Sequence, residues 1–218
     1  MIDTDAFILI GGRSSRLGSD KAIALLGGMT LAQRAFQTTT EALPNSRVTF
    51  VAANEAQFGI DAIVVGGPFT FDLIPDRGPL GGMHAALAYA QTPWIFVLAC
   101  DYPFITSELI RFLADKVSNN CGAVVPEQDD GRLQPLCAFY KTEAARPVVG
   151  EIIEMPRVPP PMNEIVQELE PRIVKFSEFC QLAASDEIFS NVNTPKHLER
   201  AQRTLDEGSH GQKIKRLK

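Results

Sequence analysis

The chain has 218 residues, of which 45% are hydrophobic and 22% charged, and its formal net charge is −5 at pH 7. That length and composition are typical of a single globular domain with a full hydrophobic core. The acidic balance argues against general binding to nucleic acids or membrane surfaces, which requires a basic face, and no apolar run approaches the ~20 residues of a membrane span.

The N-terminus and the cysteines predict a cytoplasmic protein. The first five residues, Met-Ile-Asp-Thr-Asp, are acidic and lead directly into an apolar run, unlike a secretory signal peptide. Cys100, Cys121, Cys137 and Cys180 form no C-x-x-C pair and lie in or beside apolar segments. We therefore expect buried free thiols in a reducing compartment rather than disulfides or a metal site.

The first predicted element is a short strand that ends in a cationic, glycine-rich loop. Residues 6–10 are apolar without a break and stop at paired glycines, as in a strand buried on both faces. The loop then carries Arg13, Arg16 and Lys21. Its glycines lack a Cβ, so the backbone N–H groups can approach an anion closely; they are Gly11, Gly12 and Gly18.

This loop predicts polyphosphate binding. Its G-x5-G-S-D-K spacing differs from both the Walker loop and the dinucleotide-binding glycine motif. A solvated turn whose arginines form surface ion pairs is the alternative.

Strands and helices then alternate along the chain. After an extended or turn segment at 22–26, Thr30 is predicted to cap a helix at 31–43, and strands follow at 48–52 and 60–65. A long loop at 66–82 leads to a helix at 80–91. The alternation predicts an α/β fold: a single-domain, Rossmann-like, three-layer structure with a mainly parallel sheet flanked by helices.

The most apolar run in the chain, residues 94–100, predicts the central strand. Thr106 is predicted to cap the helix that follows, to about Val117. The later predicted elements are strands at 122–126 and 136–140 around a turn at 129–131, a helix at 143–153, a proline-rich loop at 155–162, a helix at 163–169, a strand at 172–176 and a helix at 195–205. We expect one domain at 1–207 and a disordered basic tail at 208–218.

Asp101 directly follows the predicted central strand. A carboxylate in that position lies at the carboxyl edge of the sheet, where open α/β folds bind ligands. Magnesium prefers carboxylate oxygens together with phosphate oxygens and water. Asp101 is therefore a candidate magnesium ligand, and a turn residue before Pro103 is the alternative.

Two further motifs combine a turn with the start of a helix. Gly78-Pro-Leu-Gly-Gly82 offers free N–H groups at a helix N-terminus, and Asn191-Val-Asn193-Thr-Pro195 is predicted to cap the last helix. The three histidines are far apart in sequence and match no metal or triad pattern. We therefore do not expect covalent catalysis.

The run I-G-G-R-S-S-R-L-G-S-D-K resembles the signature loop L-A-G-G-x-S-x-R-M-G-x-D-K of the molybdenum cofactor guanylyltransferases and related MobA-like nucleotidyltransferases. Ile10 and Leu17 depart mildly from it. The motifs G-P-L-G-G, D-Y-P-F and N-V-N-T-P follow in the order of the family. The resemblance implies a nucleotide-diphospho-sugar transferase-like fold and a GTP-binding enzyme. That enzyme would use Mg²⁺ to transfer GMP from GTP to molybdopterin, or Mo-molybdopterin, and release pyrophosphate.

The resemblance also implies roles for individual residues. The catalytic residues would be Arg13, Arg16, Lys21 and Asp101, with Asp101 as the metal ligand. The nucleotide-binding residues would be Leu9, Ile10, Gly11, Gly12, Lys21, Asn54, Asp72, Gly78, Gly82 and Asp101. The pterin side would be formed by Arg132, Gln134, Asn191 and Asn193.

Some of these assignments stay open at the sequence level. Asp76 competes with Asp72, which we prefer, and the family's N-x-N is here Ala52-Ala-Asn54, so the base is not decided. Cytidylyl transfer to molybdopterin, nucleotidyl transfer to a sugar or alcohol phosphate, and a non-catalytic adaptor for cofactor delivery are the alternatives. The expected partners are GTP, molybdopterin and, transiently, the proteins that supply molybdopterin or receive the cofactor.

Overall fold

The computed structural model describes residues 2–11, 21–54, 67–155, 158–182 and 187–215, with side chains of the last helix described to residue 207. Two predictions lie outside the described residues. One is the strand at 60–65, and the other is the arrangement of Gly12, Arg13, Arg16 and Gly18 in the cationic loop.

Strands and helices alternate through most of the described chain. The strands are β1 (Thr4–Leu9), β2 (Leu25–Leu26), β3 (Met29–Thr30), β4 (Val48–Ala52), β5 (Phe69–Phe71), β6 (Trp94–Ala99), β7 (Ala123–Pro126), β8 (Cys137–Lys141) and β9 (Arg172–Val174). The α-helices are α1 (Leu31–Ala42), α2 (Pro79–Tyr89), α3 (Ser107–Ala114), α4 (Thr142–Glu154), α5 (Met162–Gln167), α6 (Phe176–Phe179) and α7 (Pro195–Lys215). A 3₁₀ turn covers Lys21–Ile23.

Within the described residues the main sheet has seven strands in the order β5-β4-β1-β6-β8-β7-β9. The strands β5, β4, β1 and β6 are mutually parallel, and β7 is parallel to β9. Strand β8 runs antiparallel to both of its neighbours. The prediction of a mainly parallel sheet with residues 94–100 at its centre is confirmed, because β6 is the fourth of the seven strands.

Helices cover both faces of this sheet. Helices α1 and α3 pack on one face, through residues such as Ala35 and Leu109, beside Ile8 of β1. Helices α2, α4 and α5 pack on the other, where Met83 and Val149 join the cluster that contains Phe7. Since successive residues of β1 point to opposite clusters, both faces of the strand are buried, which explains its unbroken apolar sequence.

The start of α1 shows local sequence deciding local structure. The Thr30 side chain accepts a hydrogen bond from the Gln33 N–H at 3.1 Å, and the Gln33 side chain accepts one from the Thr30 N–H at 3.0 Å. This reciprocal capping box satisfies two helix-terminal donors. The preceding β2–β3 turn places Gly27 and Gly28 at φ +60° and +82°, which glycine adopts without strain.

Several boundaries differ from the sequence-based expectation. Strand β5 lies in the predicted loop 66–82: it has three residues, pairs with β4 within the described part of the chain, and is too short to show a periodic pattern. Strand β9 ends at Val174 because Phe176 begins α6, and α3 ends at Ala114 rather than Val117.

Helix α7 runs to Lys215 rather than ending near Leu205. Leu205 and Ala201 pack against Leu26 and Leu31, and this docked turn allows further residues to be added at little cost. The backbone is thus helical in a stretch where the sequence predicts disorder, and the division into a domain at 1–207 and a tail at 208–218 stays a prediction.

Two other expectations concern thiols and membranes. All four cysteines are free thiols; Cys100, Cys121 and Cys137 are buried, whereas Cys180 is exposed on the short α6 turn. In the part of the chain that the structure describes, no helix has the length and apolar character needed to cross a membrane.

Candidate active site

Three residues that are distant in sequence meet at the carboxyl edge of the sheet. The Lys21 ammonium donates hydrogen bonds to Asp101 Oδ2 and to Asn193 Oδ1, across 80 and 172 residues of chain. The Lys21 and Asp101 side chains are 17% and 15% exposed. Lys21, the last cation of the glycine-rich sequence, thus lies beside the acid at the end of the central strand.

Backbone pairing positions these side chains. Strands β1 and β6 are parallel neighbours with Leu9 opposite Ala99, and the Cys100 N–H donates to the Leu9 carbonyl at 3.1 Å. Both strands therefore end together, which brings the residues after Leu9 close to Asp101. The segment before α7 is held at the same place, since the Val192 N–H donates to the Asp101 carbonyl at 2.9 Å.

A second interaction orders the segment of residues 191–193. The Asn193 N–H donates to His197 Nδ1 at 3.3 Å, and the His197 N–H donates to Thr194 Oγ1 at 3.2 Å. Thr194 therefore caps α7 as predicted, and the same turn presents the Asn193 amide to Lys21. The motif can therefore cap α7 and also place the Asn193 side chain in the candidate site.

The start of α2 packs closely on the end of β1. A Cβ at Gly82 would lie 3.1 Å from Leu9 Cδ2, and one at Gly81 would lie 3.0 Å from Asp72 Oδ2. Gly78 adopts φ +56°, which favours glycine. The G-P-L-G-G motif thus allows a helix N-terminus, with its free N–H groups, to approach both β1 and a carboxylate.

Burial raises the pKa of Asp72 to about 6. Its N–H donates to the Ala52 carbonyl at 3.0 Å, so it lies where β4 ends. Asp76 is exposed on the following turn at φ +60°. The half-buried position of Asp72 against α2 supports the preference for Asp72 as the nucleotide contact, which remains a prediction.

A cleft of about 440 Å³ opens beside the Lys21–Asp101–Asn193 cluster. Three of the four residues predicted for the pterin side line it, namely Arg132, Gln134 and Asn191. Asn193 lies one residue beyond Val192 of the same wall and contacts Lys21 instead. The cleft and the cluster are therefore adjacent parts of one site.

The comparisons with known proteins agree with this geometry. Residues 6–155 match the sequence model of the MobA-like NTP transferase domain, which is well over half of the chain. The chain belongs to the MobA-like NTP transferase family. It is a nucleotidyltransferase, as the order of its motifs predicts.

Two relatives that align over nearly their whole length carry a narrower name. This MobA-like transferase is 28% identical over 196 residues to a probable molybdenum cofactor guanylyltransferase of Carboxydothermus hydrogenoformans, covering 88% of this chain and 92% of the relative. It is 27% identical over 202 residues to a molybdenum cofactor guanylyltransferase of Desulfosudis oleivorans, covering 92% and 95%.

Solved structures share the fold of this MobA-like transferase. The molybdopterin-guanine dinucleotide biosynthesis protein A of Archaeoglobus fulgidus superimposes with a TM-score of 0.76 at 24% identity, covering 93% of this chain and 99% of that one. A 4-diphosphocytidyl-2C-methyl-D-erythritol synthase of Anaerococcus prevotii has a TM-score of 0.67 at 11% identity, covering 94% and 99%. At these identities the likeness shows the nucleotide-diphospho-sugar transferase-like fold alone.

The structure also places functional candidates that the sequence did not single out. Gln128, His197 and Tyr102 line the cleft. Tyr102 was visible inside D-Y-P-F, but Gln128 has no motif around it. Asn54 is exposed just past β4. Its nucleotide contact stays a prediction, and so do the nucleotide contacts of Ile10 and Gly11.

Proposed function

We propose that this MobA-like transferase uses Mg²⁺ to transfer GMP from GTP to molybdopterin or Mo-molybdopterin, giving the guanine dinucleotide and pyrophosphate. The observation that carries the proposal is the Lys21–Asp101–Asn193 cluster, which puts a cation and two hard oxygen ligands beside a cleft. The names of the full-length relatives supply the acceptor.

The proposed reaction needs positioning more than proton transfer. A terminal phosphate oxygen of the acceptor attacks the α-phosphorus of GTP, and the bond from that phosphorus to the bridging oxygen breaks. The electron pair leaves on pyrophosphate. The nucleophile is already an oxyanion, so no strong base is required, and the main obstacles are orientation and repulsion between anions.

Positively charged side chains would offset the repulsion between the anionic substrates. Lys21, together with Arg13 and Arg16 of the loop, would neutralise the triphosphate and then the departing pyrophosphate. Helix α2 presents its N-terminus, with the positive end of its dipole, near Asp72 and the end of β1.

The residues present fit a magnesium ion carried by a nucleotide. Among the described residues no group of three or more His, Cys, Asp or Glu side chains forms a protein cage for a metal. Magnesium is commonly held by one or two carboxylates with substrate phosphates and water, and the shielded Asp101 carboxylate meets that description. Asp101 would hold the ion, which when bound supplies Lewis-acid stabilisation of phosphate oxygens. Lys21, which now donates to Asp101, would then turn to the phosphates.

Guanine recognition is proposed for Asp72. The Watson–Crick edge of guanine presents two adjacent N–H donors, which a carboxylate can accept, whereas cytosine presents one amino group and acceptors. Asp72 is half-buried where β4 ends, so a base lying over β4 and α2 would find it desolvated. This supports GTP over CTP.

A nucleotide panel tests the function. Pyrophosphate release is measured with GTP, CTP and ATP, each with Mg²⁺ and with molybdopterin or with a sugar or alcohol phosphate as acceptor. We expect rapid release only with GTP and molybdopterin. Preference for CTP would assign a cytidylyltransferase, and release with a sugar or alcohol phosphate would change the acceptor. No release with any pair would favour an adaptor that delivers the cofactor. In the proposed role the protein acts in the cytoplasm and contacts molybdopterin-supplying proteins and molybdoenzymes transiently.

A further inference from the structure

The wall of the cleft contains a chain of three side-chain hydrogen-bond partners. The Tyr102 hydroxyl donates to Gln134 Oε1 at 3.0 Å, and Gln134 Nε2 donates to Gln128 Oε1 at 2.6 Å. The chain begins at the residue next to Asp101 and ends on the turn between β7 and β8. These hydrogen bonds therefore connect the residue beside Asp101 to Gln128, which lines the cleft.

Both polar atoms of the Gln134 side chain take part in these hydrogen bonds. It is only 7% exposed, its carboxamide oxygen accepts from Tyr102, and its nitrogen donates to Gln128. The ring of Tyr102 packs edge-on against Phe189, with centroids 6.5 Å apart, which limits its movement. Gln134, predicted to contact the pterin, is thus placed to orient a neighbour.

The neighbour is Gln128. Its oxygen accepts from Gln134, so its planar carboxamide must direct the Nε2 hydrogens away from Gln134. Among the residues that the structure describes, none accepts a hydrogen bond from this nitrogen. Gln128 lines the cleft, and its nitrogen is absent from the buried side-chain atoms that lack a partner. The Gln128 amide therefore presents a donor of fixed direction to the open cleft.

Nearby charges define what this donor suits. Arg132 pairs with Asp130 at 2.7 Å, and Arg200 pairs with Glu187 at 2.8 Å. Each guanidinium keeps N–H groups beyond those in its ion pair and carries a positive charge suited to anions, whereas the Gln128 amide is an uncharged donor. A neutral acceptor atom, such as the carbonyl oxygen of a heterocycle, matches it better than a second phosphate.

We propose that Gln128 determines acceptor specificity by donating a hydrogen bond to a ring carbonyl of the acceptor, and that Tyr102, acting through Gln134, is its positioning residue. The inference rests on the proposed function, because it assigns the cleft to the acceptor. The acceptor class is then an oxo-heterocycle, such as an oxo-pterin, that carries a phosphate. Its phosphate faces Lys21 and its carbonyl faces Gln128.

The test compares Gln128→Leu and Gln128→Glu with the wild type. Gln128→Leu removes the donor and is expected to raise the acceptor KM about tenfold. Gln128→Glu can still accept from Gln134 but turns an oxygen toward the carbonyl, so a larger increase is expected. The KM for GTP should stay within about twofold in both variants. An exposed glutamine at the opposite edge of the sheet provides the matched control, Gln91→Leu, which should leave both KM values unchanged.

Tyr102→Phe separates positioning from mere packing. It removes only the hydroxyl that holds Gln134, so the acceptor KM should rise in the single variant. In the double variant with Gln128→Leu it should rise no further than in Gln128→Leu alone. Additive losses, or equal losses for GTP and acceptor, would show a general structural effect and overturn the inference.

A direct measurement of molybdopterin binding tests this inference separately from the proposed function. Calorimetric titration of molybdopterin into each variant needs no turnover. If the wild type binds molybdopterin without transferring GMP, the proposed function fails while the Gln128 comparison still decides the inference. Equal molybdopterin affinity in the wild type, Gln128→Leu and Gln128→Glu, tighter binding by Gln128→Glu, or no binding by the wild type would each overturn the inference.

Discussion

The two halves of the site are built differently. At the Lys21–Asp101–Asn193 cluster, backbone pairing positions the two short side chains, Asp101 and Asn193, since β1 and β6 end in register and the Val192 N–H bonds to the Asp101 carbonyl. In the cleft, backbone hydrogen bonds to Arg132 and Gly131 hold the Gln128 main chain, and the direction of its amide depends on the side chains of Gln134 and Tyr102. The geometry of the cluster therefore depends mainly on backbone pairing, and that of the Gln128 amide on its side-chain partners.

The largest effect is expected at the cluster. Asp101→Ala and Lys21→Ala should each lower the rate on the order of 10²-fold or more, because each removes a shielded group that is proposed to act on developing phosphate charge. Pyrophosphate release by the purified, folded variants measures this. Asp115→Asn, at an exposed helix end, is the control. Near-normal turnover in both cluster variants would refute these roles.

Acid should weaken GTP binding. The pKa of Asp72 is raised to about 6 by burial, so the carboxylate proposed to accept from guanine is present above pH 6 and lost as the pH falls below it. One pH unit below the pKa, about a tenth of the group is ionised, so affinity should fall about tenfold by pH 5. Equilibrium GTP titrations from pH 5 to 8 check this.

The control for that experiment is Asp72→Asn, which carries no titrating carboxylate. It should bind GTP more weakly than the wild type at pH 8 and show no comparable change between pH 8 and 5. A wild-type profile that is flat, or that is unchanged in Asp72→Asn, would remove Asp72 from base recognition.

Metal binding without nucleotide should increase when Lys21 is removed. Its ammonium donates to both Asp101 and Asn193, so it competes with a divalent cation for the same oxygens. In Lys21→Met we expect about tenfold tighter binding of Mn²⁺ alone, the change that follows from about 1.4 kcal/mol of lost competition. Electron paramagnetic resonance of free Mn²⁺ measures it. Unchanged affinity would mean that the ammonium does not occupy the cation position.

The last prediction concerns a backbone contact at the end of β1, which acts mainly on stability. A Cβ at Gly11 would lie 2.9 Å from the backbone nitrogen of Ala53, which cannot move away as a side-chain tip can. Gly11→Ala should lower the free energy of unfolding by about 1–3 kcal/mol and raise the KM for GTP.

Gly150→Ala is the matched control, because it lies within α4 with open space at its Cβ. It should be neutral or stabilising by about 0.5–1 kcal/mol. Chemical denaturation and initial rates measure both variants. Equal stability of Gly11→Ala and the wild type would show that the end of β1 is less constrained than the cluster requires.

Much of the fold was predictable because it follows from short-range patterns. The unbroken apolar runs of β1 and β6, the capping box at Thr30 and the proline at the first position of α2 each indicate their element locally. The three-residue β5 could not be predicted, because it is too short to show a pattern and its pairing with β4 is a tertiary contact. Helix α7 was underestimated because its docking on the β2–β3 hairpin is a tertiary contact.

By itself, the sequence determined which residues end the buried strands, since apolar runs and the glycines or acid that stop them are local features. The cationic loop, the acid after the central strand and the resemblance of the N-V-N-T-P motif indicated Lys21, Asp101 and Asn193 as separate candidates. Only the tertiary structure decided that they share one point, because Lys21 and Asp101, 80 residues apart in the chain, meet where the parallel strands β1 and β6 end together. It also decided the role of Gln128, whose direction depends on hydrogen bonds to partners that no sequence spacing encodes.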